Sequence, residues 1–133
     1  MVLIAVITVI SPPAWSEISN GESAVEAALA IGEAVVATGV ENLKPVGPGD
    51  AFPRTVGRLY CFTRIKGAAQ NTTIKHLWFK GDTLVMEITL PIQSADWRTY
   101  SIKTITPASA GSWRVDITTE SGTVLRSVPF TIE

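Results

Sequence analysis

Residues 84–92 read L-V-M-E-I-T-L-P-I. Leu84, Met86, Ile88, Leu90 and Ile92 alternate with Val85, Glu87, Thr89 and Pro91. A period of two sustained over this run marks a strand with one buried face. Lys80-Gly81-Asp82 supplies a tight turn before it, and Thr73–Phe79 reads as the preceding strand. Gln93–Asp96 turns the chain into Trp97–Ile105. Pro107–Gly111 forms a loop. Trp113, Val115 and Ile117 then alternate with Arg114, Asp116 and Thr118. Ser121-Gly122 closes a hairpin onto a last strand carrying Val124, Val128, Phe130 and Ile132. Pro129 marks that strand as an edge or a bulge.

Upstream, Arg54–Ile65 is rich in Val, Leu, Tyr, Phe and Thr and reads as another strand, and Glu33–Val40 as the first. Pro45, Gly47, Pro48, Gly49 and Pro53 read as a loop between these two. Seven strands with regular turn signals predict an all-β, antiparallel, immunoglobulin-like β-sandwich over residues 33–133. No helix of crossover length separates the strands, which argues against a parallel sheet. Residues 17–32 are an acidic, Ala-rich linker or a short helix. Ser19/Glu22 and Ser23/Glu26 fit the S-x-x-E start, and Gly32 is placed to end a helix through Ala24–Ala30.

Residues 1–16, M-V-L-I-A-V-I-T-V-I-S-P-P-A-W-S, are apolar and carry no charged side chain. They read as a signal peptide or membrane-anchor remnant, with Ala14 and Ser16 set for cleavage before Glu17. A basic n-region is missing, and a buried N-terminal strand is the competing reading. The leader predicts an extracytoplasmic location, periplasmic or secreted, with peripheral membrane association through this anchor.

Composition narrows the function classes. The chain has 133 residues, enough for one domain, and a net charge of −1. That is no phosphate-binding surface, so no nucleic acid is expected as a partner. The charge is split, −5 over residues 1–53 and +4 over 54–133, with the basic residues scattered. One cysteine, Cys61, excludes an internal disulfide and a cysteine-based zinc cluster. One histidine, His76, excludes a histidine-rich metal site. There is no P-loop, no G-x-G-x-x-G and no G-x-S-x-G elbow. No cofactor, no metal and no catalytic residue are expected.

The motifs that remain point to binding. Tyr60 and Phe62 share a strand face with Arg58 and Arg64, while Leu59, Cys61 and Thr63 share the other. Either face suits the core, and the aromatic one also suits a sugar platform. His76 and Trp78 lie on one face of their strand; the reading favours a structural histidine bonded across the sheet over a ligand or a base. In Trp97-Arg98-Thr99-Tyr100-Ser101, Trp97, Thr99 and Ser101 share a face, and Arg98 and Tyr100 the other. Tyr100 could stack on a ligand while Arg98 forks onto a carboxylate or sulfate. Trp97 reads rather as packing between sheets, and Trp113 as core. Cys61 reads as buried and inert. The candidate ligand-binding residues are therefore Tyr60, His76, Trp78, Trp97, Arg98 and Tyr100.

Five pieces resemble a known family: R-L-Y-C-F-T at 58–63, I-K-H-L-W-F at 74–79, D-W-R-T-Y-S at 96–101, G-S-W-R-V-D at 111–116, and G-T-V-L at 122–125 with P-F at 129–130. In this order and spacing they resemble the bacterial domain of unknown function 2914. The resemblance implies a C-terminal domain of exported or membrane-anchored proteins, and no assigned activity. The expected function is a non-catalytic interaction module of the bacterial cell envelope, binding a glycan or a protein partner. An envelope glycan-acting enzyme using His76, or a subunit that self-assembles through a sheet edge, are the alternatives.

Overall fold

A computed structural model of the chain describes residues 22–133. The expected leader (1–16) and the Ser19/Glu22 helix start fall wholly or partly outside the described residues. The Ser23/Glu26 start is present. Ser23 Oγ accepts the Glu26 N–H at 3.1 Å, and Glu26 Oε1 accepts the Ser23 N–H at 3.1 Å. The helix they cap, α1 (Ala24–Ala27), is a single turn, shorter than the expected Ala24–Ala30. Gly32 does not end it. It lies in the first strand, where the pairing is irregular between Ile31 and Glu33.

Nine strands follow among the described residues, rather than seven: β1 (Ala30–Glu41), β2 (Lys44–Gly49), β3 (Ala51–Phe52), β4 (Arg58–Lys66), β5 (Thr72–Lys80), β6 (Thr83–Ile92), β7 (Asp96–Thr104), β8 (Gly111–Thr119) and β9 (Val124–Ile132). The two additions, β2 and β3, come from the Pro/Gly segment expected to be a loop. A strand tolerates Pro45 and Pro48 because β2 is an edge, paired only with β1 among the described residues. Asn42 and Leu43 turn the chain between them with φ of 51° and 55°, the backbone of a tight hairpin turn.

The strands form two sheets, β2-β1-β4-β7 and β3-β9-β8-β5-β6. All pairs are antiparallel except β3–β9. Val36, Leu59, Cys61 and Ile65 of the first sheet face Ile74, Trp78, Val115, Ile117 and Ile132 of the second in one core cluster. Phe130 is edge-on to Trp78 at 6.0 Å and to Phe52 at 6.2 Å, and stacks on Trp113 at 6.0 Å. Each such ring taken fully out of water contributes roughly 1.5–3 kcal/mol.

The alternation at 84–92 holds in its later part. Met86, Ile88 and Leu90 are half-buried and Ile92 buried, while Glu87, Thr89 and Pro91 are exposed. It fails at the start, where Leu84 and Val85 are exposed. A shift in the β5–β6 register between Trp78 and Phe79 sets Leu84 opposite Phe79, on the outer side. Pro129 lies on β9 where β3 does not reach, because β3 covers only Thr131 and Ile132. It is thus an edge position.

Glu26 also closes one end of the sandwich. Its Oε2 accepts the Ser121 N–H at 3.0 Å and the Ser121 hydroxyl at 3.1 Å. Burial alone would raise this carboxyl, but the bonds from Ser121, Ser23 and Thr119 outweigh it and hold the group below its usual range. Among the described residues no helix is long and apolar enough to cross a membrane.

Candidate functional site

β4 and β7 run antiparallel, with Tyr60 opposite Ile102, Phe62 opposite Tyr100 and Arg64 opposite Arg98. Side chains alternate in direction along each strand. Leu59, Cys61, Thr63 and Ile65 point to the core, so Arg58, Tyr60, Phe62 and Arg64 point outward. This settles the ambiguity that the sequence left on β4. Phe62 is nonetheless 1% exposed, beside Val35 and Tyr100 in neighbouring strands.

Tyr60 and Tyr100 are diagonal neighbours on that outer face. Their ring centroids lie 5.7 Å apart at an interplanar angle of 54°. Such a tilted pair suits the aromatic quadrupole. Tyr100 is 38% exposed and Ile102 43%. The Arg58 guanidinium lies 5.8 Å from the Tyr60 centroid. Along β4 the outward order is therefore cation, aromatic, aromatic, cation, over roughly 20 Å at strand rise.

The far end is cationic. Arg64 forks onto Asp96, Nε to Oδ1 at 2.8 Å and Nη2 to Oδ2 at 2.6 Å. The Arg64 guanidinium beside Asp96 holds that carboxyl below its usual range, and Lys66 and Arg98 add to the effect. Arg64, Lys66 and Arg98 all act on this carboxylate, and Glu33, opposite Arg64 on β1, adds a second negative charge beside them. Arg98 makes no hydrogen bond among the described residues, and with Trp97 it lines a groove of about 480 Å³. Trp97 is half-buried against the core rim, as its packing role predicts.

His76 and Trp78 lie elsewhere. Both are 0% exposed, between the sheets. A ligand at the surface cannot touch them, so they leave the set of binding candidates. His76 Nε2 lies 2.9 Å from Thr63 Oγ1 and its Nδ1 lies 2.6 Å from Ser101 Oγ. Trp78 Nε1 donates to the same Ser101 oxygen at 3.0 Å. One tautomer satisfies the whole set: Ser101 accepts from Trp78 and donates to Nδ1, while Nε2–H donates to Thr63. Burial pushes the imidazole down to about 4, so it is neutral at neutral pH. Its hydrogen-bond partners are hydroxyls, and no carboxylate reaches it among the described residues.

His76 is buried, as the sequence reading favours, but its bonds run to the facing sheet rather than across its own. Its partners Thr63 and Ser101 were missed as such. The signal for them was available: Ser101 shares a face with Trp97, so a hydroxyl had to enter the core beside whatever needed it. Trp113 is core at 5% exposure, and its Nε1 donates to the Ser109 carbonyl at 2.7 Å. Cys61 is buried, and burial pushes its thiol up to about 12. No cluster of three metal-ligating side chains occurs among the described residues.

A family described as "Protein of unknown function (DUF2914)" matches residues 71–132. That stretch, just under half of the chain, matches the DUF2914 family. The DUF2914 match runs from β5 through β9, and so contains His76, Trp78, Trp97, Arg98, Tyr100 and Ser101. It is shorter than the expected span from Arg58, and β4, with Tyr60 and Thr63, lies before it. No curated protein matches the chain.

Proposed function

We propose that this chain is a non-catalytic interaction module of the bacterial cell envelope, acting outside the cytoplasm. Its outer β4–β7 face binds a glycan. The observation that carries this reading is the half-buried Tyr60 paired with exposed Tyr100 and flanked by Arg58 at one end and Arg98 at the other. Aromatic faces stack on the apolar faces of sugar rings, and guanidinium groups fork onto carboxylates or sulfates. The apolar leader supports export, with peripheral membrane association if it is retained. An immunoglobulin-like sandwich is the finer fold reading. Two sheets, antiparallel except at the short β3–β9 pair, with a tryptophan packed between them support it.

The enzyme reading gains nothing from His76, which has neither solvent access nor a carboxylate partner among the described residues. The test is an amide-resolved NMR titration of the full chain with peptidoglycan fragments and with acidic oligosaccharides. Shifts localised to Tyr60, Arg98, Tyr100 and Ile102 are expected. Tyr100→Ala should weaken binding at least tenfold while keeping the folded spectrum. Silence across the panel from a folded protein, or shifts confined to another surface, would overturn the glycan reading.

A further inference from the structure

The sheet edges of this fold differ in how they are protected. β2 carries Pro45 and Pro48. β3 is two residues long, and the β9 stretch that it leaves open carries Arg126 and Pro129. β7 carries Asp96, Arg98 and Lys103. Prolines, short strands and charges are the usual devices that stop one sheet from adding to another. β6 has the weakest set. It spans ten residues, has β5 as its only partner strand among the described residues, and carries Glu87 as its single charge. The register shift near Val85 and the ring of Pro91 protect only its two ends.

Between those ends lies Met86-Glu87-Ile88-Thr89-Leu90, which is symmetric in character about Ile88. Met86 and Leu90 are two residues either side of it, half-buried on the inner face. Glu87 and Thr89 are one residue either side, exposed on the outer face. An antiparallel copy centred on Ile88 sets Ile88 against its own mate and Met86 against Leu90. Glu87 then faces Thr89, so the two carboxylates are not directly opposed. Every apolar residue meets an apolar one, on the same side of the extended sheet.

We propose that β6 is a self-association edge, and that its occupant is β6 of a second copy of this chain, paired antiparallel about Ile88. The two five-stranded sheets become one continuous sheet across a two-fold axis. This surface lies on the opposite sheet from the Tyr60–Tyr100 face and does not depend on the glycan reading.

The test is sedimentation of the full chain from 1 to about 200 µM. A monomer–dimer equilibrium is expected, and Ile88→Lys should weaken it at least tenfold. Val46→Lys, at an exposed position on β2, should leave it unchanged. Register is read from Glu87→Cys and Thr89→Cys, both at exposed positions of the strand. Under a mild oxidant, the two variants mixed should cross-link well above either alone, and buried Cys61 takes no part. A monomer throughout the range would overturn the proposal. So would a dimer that Ile88→Lys leaves intact while folded, or cross-linking no greater in the mixture than in the separate variants.

Discussion

Acidification from neutral pH should destabilise this domain through His76. The imidazole is held at about 4 in the folded chain, against an ordinary value of 6.5. Folding therefore favours the neutral form. The stability tied to neutrality is fully present above pH 6.5, and is lost as pH falls through 6.5 towards 4. At 1.36 kcal/mol per pH unit, the gap is worth about 3 kcal/mol in full. Roughly 2 kcal/mol of it disappears between pH 7 and pH 5. For a domain of this size, that is a fall in Tm of about 8 °C. Glu26 and Asp96 are also held below their ordinary values, but their contribution is lost at lower pH, below the ordinary carboxylate range. The window from pH 7 to 5 thus isolates the histidine. The groups facing it are the Thr63 and Ser101 hydroxyls, the Trp78 N–H, and Ile88 and Ile117 across the ladders. None of these titrates in the window. The assay is urea unfolding of the full chain at pH 7, 6 and 5, for the wild type and for His76→Gln. The variant should be less stable at pH 7, because the amide fits the two hydroxyls poorly, yet lose far less on going to pH 5. The imidazole C–H resonances of the folded wild type should show no titration above pH 5. An equal pH slope in His76→Gln, or a titration midpoint near 6.5 in the folded chain, refutes the reasoning.

Two other perturbations probe the same interior. Ser101→Ala removes the partner of both His76 Nδ1 and Trp78 Nε1. It should cost about 2–4 kcal/mol in urea unfolding, since each orphaned buried group costs roughly 1–3 kcal/mol; a loss below about 0.5 kcal/mol would contradict the bonding scheme. Cys61, buried and with its thiol pushed up to about 12, should resist an aromatic disulfide reagent at pH 8 in the folded chain and react within seconds in concentrated urea. Rapid labelling of the folded chain would show that β4 opens locally.

How much could be read in advance depended on whether the signal was local. The strands from β4 onward were legible because turn residues and alternation are written in neighbouring positions. β2 was not, since Pro45 and Pro48 argue against a strand unless the strand is known to lie at an edge. That knowledge is tertiary. The same holds for Leu84, whose place in the alternation predicts burial but whose direction is reset by an irregularity in the pairing with β5. On β4 both faces are apolar enough to be core, so alternation alone could not orient it. Tyr60 and Tyr100 were each visible as candidates. Their meeting was not, because it depends on the β4–β7 register.

That register is tied to the core cluster. Tyr100 and Ser101 are consecutive, so one of them points out and the other in. A one-residue slip of β7 against its sheet would exchange the two. Tyr100 would enter the core, and Ser101 would leave His76 Nδ1 and Trp78 Nε1 without an acceptor or donor in a region that water does not reach. Thr63 does for β4 what Ser101 does for β7, since both hydroxyls bond to the one imidazole on β5. A polar group in a core contributes modest net stability when satisfied, but makes the alternative packing expensive. The buried histidine therefore touches no ligand, yet it selects the side of the sheet on which Tyr60 and Tyr100 come together.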